Sequence, residues 1–171
     1  METKKEKFKG CLGGLLSVLL LLFFIGMCSE PEDNNMYISG ADPTFVCASL
    51  RGEGFDVEHI YNEEYGWSWD AKKTINGIDL LASIYSPKSS EKLQSIRATV
   101  MVQAGIKDIE AGKFFIKYIS SMPYKGSQET TAINWVEEHY YHPEDTVIGN
   151  VLFSLKAPSK YVRILTISAL N

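Results

Sequence analysis

An uninterrupted apolar run from Cys11 to Cys28 constrains this chain of 171 residues more than any other feature. The run carries no charge between Leu12 and Met27, and the ten residues before it contain four lysines and two glutamates. Lysines in front of an apolar run favour retention of that end in the cytoplasm. A buried core helix would show a polar stripe, and this run is apolar all round. The sequence therefore predicts a membrane segment at residues 11–28, behind a basic cytoplasmic end at residues 1–10.

The length of the apolar run leaves three fates open. A spanning helix needs about 20 apolar residues, with about 17 as the lower limit, so the run suits a short single-pass anchor. Gly26 and Cys28 are small residues at the two positions that signal peptidase reads, which allows cleavage after Cys28. Lipidation of Cys28 is the third fate. All three place the rest of the chain outside the cytoplasm, and anchoring or lipidation keeps it on the cell membrane.

Two short motifs in this region carry a resemblance to known proteins. The stretch Ile25-Gly26-Met27-Cys28 resembles the lipobox of bacterial lipoproteins, and it departs from that pattern at Met27, where the family has Gly, Ala or Ser. The lysine-rich start followed by Gly10-Cys11-Leu12-Gly13-Gly14 resembles short membrane-anchored or lipoprotein-like proteins of Gram-positive bacteria, which are mostly uncharacterised. The resemblance covers roughly the first 30 residues, and it implies a location and no activity.

The rest of the sequence divides into a linker at residues 29–42 and a domain at residues 43–171. The linker combines acidic residues, Asn, Pro and Gly without an apolar period. Residues 29–171 carry 13 Lys plus Arg against 19 Asp plus Glu, a net charge of −6. Because nucleic-acid binding demands a basic surface, this balance argues against a nucleic-acid partner. We expect the membrane as a partner, together with another envelope protein or a cell-wall component.

The domain shows an alternation of strand and helix patterns. The predicted order is helix, three strands, two helices and two strands. Asp42 and Pro43 predict the cap and start of the first helix, over residues 43–51, with Phe45, Val46, Ser49 and Leu50 on one face. The other helices are predicted at residues 108–121 and 128–141, the latter capped by Ser127. Hairpins favour an antiparallel sheet, so we expect an α+β two-layer sandwich with about five strands and helices on one face.

The dipeptide Asn76-Gly77 sets the register of the first predicted hairpin. Both residues tolerate positive φ, as a two-residue type I′ turn requires. The resulting register collects the apolar side chains on one sheet face, with Trp69 inside and Trp67 opposite Ser86 at the open end. Lys73 falls on the same apolar face, which requires a place near an edge.

The remaining strands are read from alternation. A short strand is predicted at residues 55–57, another at 95–103, and a terminal hairpin has arms at 147–156 and 161–169 with its loop at 157–160. In that hairpin we expect Val151, Phe153 and Leu155 to face Val162 and Ile164.

Two groups of residues raise the question of catalysis. His139 and His142 are three apart at a predicted helix end, with Glu138, Glu144 and Asp145 nearby, which is a spacing that can place two metal ligands on one face. Spacing fixes no third ligand, and a solvated helix end explains the pair equally.

Cys47 could suggest a thiol nucleophile, but it lies inside a predicted helix and resembles a small buried hydrophobe. The sequence lacks a nucleophile elbow, a glycine-rich phosphate loop and a CxxC motif. We therefore predict no catalytic residue, no cofactor and no metal.

An aromatic stretch offers the only surface candidate for binding. Tyr65, Trp67 and Trp69 follow a period of two and share a face of the predicted hairpin. This pattern is typical of core residues, and the alternative is that Tyr65 and Trp67 form a partner-binding rim at the open end. We expect a non-catalytic, membrane-tethered, extracytoplasmic binding or accessory module. The alternatives are a cell-envelope enzyme with a site at residues 138–145 and a purely structural secretion or envelope accessory subunit.

Overall fold

The computed structural model describes residues 36–63, 66–87, 92–106 and 109–170. In these ranges the chain forms three helices, namely α1 (Pro43–Gly52), α2 (Glu110–Ser120) and α3 (Glu129–His139). It also forms seven strands, namely β1 (Asp56–Asn62), β2 (Gly66–Ile75), β3 (Ile78–Ser86), β4 (Ser95–Val102), β5 (Asp145–Ile148), β6 (Val151–Ser159) and β7 (Val162–Ala169). The strands make one sheet in the order β1-β2-β3-β4-β7-β6-β5, and every neighbouring pair is antiparallel.

The predicted α+β class with an antiparallel sheet is therefore confirmed, and the predicted count of about five strands is wrong. The predictions for the basic end, the apolar run with Cys28, and the linker up to residue 35 fall outside the described residues. Within the described ranges, no helix combines the length and the apolar character needed to span a bilayer.

Helix α1 starts as its sequence predicts. The Asp42 carboxylate accepts a hydrogen bond from the Thr44 backbone N–H at 2.8 Å, and Pro43 occupies the first turn. This cap satisfies one of the N–H groups that a helix start leaves without an intrahelical partner. Val46 and Leu50 are buried, whereas Phe45, which the sequence places on the same face, is 50% exposed.

The first hairpin has the predicted register. Asn76 and Gly77 have φ values of 50° and 80°, as a type I′ turn requires. Trp69 pairs with Ile84, and Lys73 pairs with Leu80. On β3 the register buries the side chains of one face, whereas on the same face of β2 only Ala71 is buried and the other side chains are half-buried.

Two strands account for the difference in count. β1 is seven residues long, whereas alternation predicted a short strand at residues 55–57, which the predicted order of three strands before the helices did not count. The predicted arm 147–156 is broken into β5 and β6 by a turn at Gly149, which has φ of +63°. A Cβ at Gly149 would lie 2.4 Å from the Gly126 carbonyl oxygen, so this turn depends on a close approach from a distant loop.

The terminal hairpin has a different register from the predicted one. Val151, Phe153 and Leu155 pair with Ala169, Ile167 and Leu165, while Ile164 pairs with Lys156. The turn is shorter than the predicted loop, and a bulge lies between Lys156 and Ser159. Pro158 in this stretch has no N–H to donate to the ladder, and prolines in sheets concentrate at such bulges.

The helices pack on the sheet face that carries the core. Phe115, Ile116 and Ile119 of α2 are buried, as are Ala132, Trp135 and Val136 of α3. The residue that caps α3 is Gln128 and not the predicted Ser127, and its side chain makes no capping hydrogen bond.

Candidate functional site

Four aromatic rings lie together where β1 and β2 pair at the edge of the sheet. His59 pairs with Trp69, and Tyr61 pairs with Trp67. The His59 ring stacks on Trp67 with centroids 4.5 Å apart and on Trp69 with centroids 4.8 Å apart. The Tyr61 ring lies 4.6 Å from the Trp67 ring at a tilt of 52°. We call these four residues the aromatic surface.

The aromatic surface belongs to the face of the sheet that the helices cover elsewhere. Alternation along β2 puts Trp67 and Trp69 on the same side as Ala71, which is buried in the core. His59 and Tyr61 are exposed, and Tyr61 keeps 53% of its surface in solvent. Large aromatic side chains at such exposure mark a surface suited to an external partner.

The structure places the two tryptophans differently from the sequence prediction. The predicted burial of Trp69 is wrong, because the ring is half-buried, with one side against the core and one against His59. Trp67 pairs with Ser86 as predicted and is half-buried. Tyr65 and Cys28 lie outside the described residues. Sequence reasoning missed His59, although its spacing of two from Tyr61 in an edge strand was a usable signal.

The residues of the alternative enzyme site are engaged separately. His139 Nε2 lies 2.9 Å from Glu144 Oε2, and His139 Nδ1 lies 2.8 Å from the Trp135 carbonyl oxygen. Asp145 accepts hydrogen bonds from Lys156 and from Ser154, each at 2.8 Å, and these bonds lower the pKa of its carboxyl group.

Glu138 and His142 of the same stretch are exposed. Among the residues that the structure describes, no three His, Cys, Asp or Glu side chains form a group that could hold a metal ion.

Cys47 lies in the core with 2% of its surface exposed, so its predicted burial is confirmed. Burial raises the pKa of the thiol to about 11, against an opposing effect of Arg51. The thiol is therefore protonated at neutral pH. Because the thiolate is the nucleophilic form, this environment suits a packing role.

A pocket of about 380 Å³ opens at the other end of β2, between β2, β3, α2 and the segment that follows α1. This volume falls in the range of small-molecule sites. Most of the wall is apolar or aromatic, formed by Phe55, Ile75, Leu80, Ala111, Phe114, Phe115 and Tyr118. The polar lining residues are Glu53, Lys73 and Glu110.

The aromatic wall of the pocket has an inner and an outer part. Phe55 and Phe115 are buried and stacked, with ring centroids 5.2 Å apart. Phe114 is 68% exposed at the mouth. The pKa of Tyr118 is raised, chiefly by burial and also by the Glu53 charge, so its hydroxyl stays neutral at physiological pH.

Lys73 is the polar group set into this apolar wall. It lies on the helix-covered face of β2 opposite Leu80, and its ammonium donates a hydrogen bond to the Glu53 backbone carbonyl. The same Nζ lies 5.6 Å from the centroid of the Phe55 ring. Lys73 is half-buried, while Glu53 and Glu110 are exposed, so solvent screens the two carboxylates more than the ammonium.

The pocket has the chemistry of a site for a small amphiphile. Apolar walls contribute non-directional burial, and a few placed polar groups fix the orientation of the ligand. The ammonium of Lys73 has three donors, and only one of them is needed by the Glu53 carbonyl. Comparisons of the chain with protein-family models, with curated proteins and with solved structures gave no match.

Proposed function

We propose that this chain is a membrane-tethered, extracytoplasmic binding module that takes a small amphiphile with an anionic head into the pocket beside Lys73. The basic end and the apolar run support the membrane tether, because lysines in front of such a run favour keeping that end in the cytoplasm and residues 29–171 outside it. The module acts by binding and performs no catalysis of its own. The anchored and the lipidated forms of the tether are both compatible with this function.

One observation carries the proposal, namely a half-buried lysine on the apolar face of the sheet, at the wall of a pocket lined by aromatic rings. A charged group at such a position loses hydration and is favoured when it is paired. The Glu53 carbonyl supplies part of that pairing. An anionic head group would complete it, while the body of the ligand would lie between Phe55 and Phe114.

A matched pair of fluorescent probes tests the proposal. Anilinonaphthalene sulfonate carries a sulfonate that N-phenyl-1-naphthylamine lacks, and the two otherwise share an apolar body. Residues 34–171 form a compact unit, and this segment is used once its circular dichroism and cooperative urea unfolding show that it folds alone. We expect the anionic probe to bind more tightly than the neutral one, and decanoate to displace it where decylamine does not.

Three variants assign the binding to the pocket. Lys73→Gln should lower the affinity for the anionic probe about tenfold or more, since a hydrogen bond to a charged group contributes roughly 1.5–3 kcal/mol. The affinity for the neutral probe should change by less than about twofold. Lys72→Gln is the control, because Lys72 lies on the opposite face of the same strand beside Asp56 and Glu58. Phe114→Ala should weaken the binding of both probes. Equal effects of Lys72→Gln and Lys73→Gln on the anionic probe would contradict the proposal.

A further inference from the structure

The described chain begins at the end of the sheet where the aromatic surface lies. The Ile38 N–H donates to the Leu93 carbonyl at 2.7 Å, just before β4. The adjacent Lys92 carbonyl accepts a hydrogen bond from the Ser86 hydroxyl, and Ser86 pairs with Trp67. The first described residues and the two tryptophans therefore share one end of the sheet, which we call the Leu93 end.

The length of chain in front of this end is short. Seven residues, 29–35, separate Cys28 from Met36. An extended chain advances at most about 3.6 Å per residue, so a linker of this length can span no more than about 30 Å. A tether of this length gives a weak surface contact an effective concentration in the range of roughly millimolar.

The carboxylates of β1 lie on one face of the sheet and its aromatic side chains on the other. Asp56 and Glu58 alternate with Val57 and His59, so their carboxylates lie on the sheet face opposite the aromatic surface. Glu58 also lies 3.3 Å from Lys72 Nζ on that opposite face. The aromatic surface is thereby free of the β1 carboxylates, which anionic or zwitterionic lipid phosphates would repel.

We propose that the aromatic surface, made of His59, Tyr61, Trp67 and Trp69, docks on the headgroup layer of the membrane that holds the tether. This inference rests on the membrane tether of the proposed function. Tryptophan and tyrosine combine an apolar ring with a polar edge and concentrate at the membrane–water interface. Docking by this surface leaves the pocket free, because Lys73 lies six residues, or roughly 20 Å, along β2 from Trp67.

Quenching by brominated lipid tests the docking in the full chain. The protein has three tryptophans, and Trp135 lies in the core with 9% of its surface exposed. The full-length variant Trp135→Phe is reconstituted into phosphatidylcholine vesicles with bromine at the 6,7 or the 11,12 acyl positions. We expect the protein to float with the vesicles and to lose half or more of its fluorescence, with stronger quenching by the shallow bromines.

Two further variants serve as controls. A chain that keeps only Trp135, through Trp67→Phe and Trp69→Phe, should float without quenching. The double variant His59→Ser with Tyr61→Ser changes two exposed side chains, and it should float with at least twofold less quenching of Trp67 and Trp69.

Each failure has its own signature. Flotation without quenching would overturn the docking and leave the tether intact, and a partner protein, a glycan or a second copy of the chain would then cover the aromatic surface. Equal quenching of the Trp135-only chain would also overturn the docking, since that ring lies in the core. Failure to float would overturn the tether and the docking together.

Discussion

Gly112 allows helix α2 to lie directly against the sheet. A Cβ built at this position would meet Val100 Cγ1 at 2.5 Å and the Tyr140 hydroxyl at 3.3 Å. Gly112→Ala should gain about 1 kcal/mol of helix propensity but lose about 1–3 kcal/mol to overpacking, with a net destabilisation. Urea unfolding of residues 34–171 measures the difference.

Gly52 is the matched control at the end of α1. Nothing lies within 4 Å of a Cβ at this position, and its φ is not positive. Gly52→Ala should therefore be neutral or stabilise the fold by about 0.4–1 kcal/mol. If both alanine variants stabilised the protein, the close packing of α2 on β4 would be wrong.

Single residues also show where sequence patterns stop being informative. Spacing of two placed Trp67 and Trp69 on the same face, but the exposure of Trp69 depends on what the neighbouring strand presents. That neighbour is His59, which stacks on the ring where a helix would have buried it. The sequence placed Lys73 on an apolar face. It did not show that Lys73 lines a pocket, because Phe55 and Phe114, which line the same pocket, are distant in the sequence.

At the scale of elements, the start of α1 depends on its cap. Asp42→Ala removes the acceptor of the Thr44 N–H and should cost about 1 kcal/mol. Asp42→Asn keeps an acceptor oxygen and should cost only about a few tenths of a kcal/mol. Urea unfolding of the two variants side by side decides the point, and an equal loss in both would mean that the carboxylate charge, rather than the hydrogen bond, stabilises the helix start.

The two hairpins explain which elements could be predicted. The register of β2–β3 follows from Asn76-Gly77 alone, because two residues with positive φ define a type I′ turn. The register of β6–β7 depends on a bulge between Lys156 and Ser159, which no local spacing specifies. The break between β5 and β6 depends on Gly149 approaching Gly126, a contact between distant parts of the sequence.

At the scale of the whole molecule, the candidate site is assembled from separate elements. The pocket combines side chains from β2, β3, α2 and the segment after α1, so no single stretch of sequence contains its pattern. The predicted rim near Trp67 came from one hairpin and was visible in the sequence, whereas the residues around His139 share a stretch but bind different neighbours. A site formed by one element can therefore be predicted from the sequence more readily than a site formed between elements.

We propose that the N-terminal run holds the folded unit outside the cytoplasm, and cysteine labelling in intact cells tests this location. Lys160 is exposed in the turn between β6 and β7, and Lys160→Cys offers a reactive thiol there. Cys47 contributes little background, because it is buried and its pKa is about 11. The labelled peptide that contains residue 160 is quantified with a membrane-impermeant maleimide, before and after lysis.

We expect the full-length Lys160→Cys chain to be labelled in intact cells to the same extent as after lysis. Labelling of residue 160 that occurs only after lysis would place the folded unit inside the cytoplasm and contradict the account.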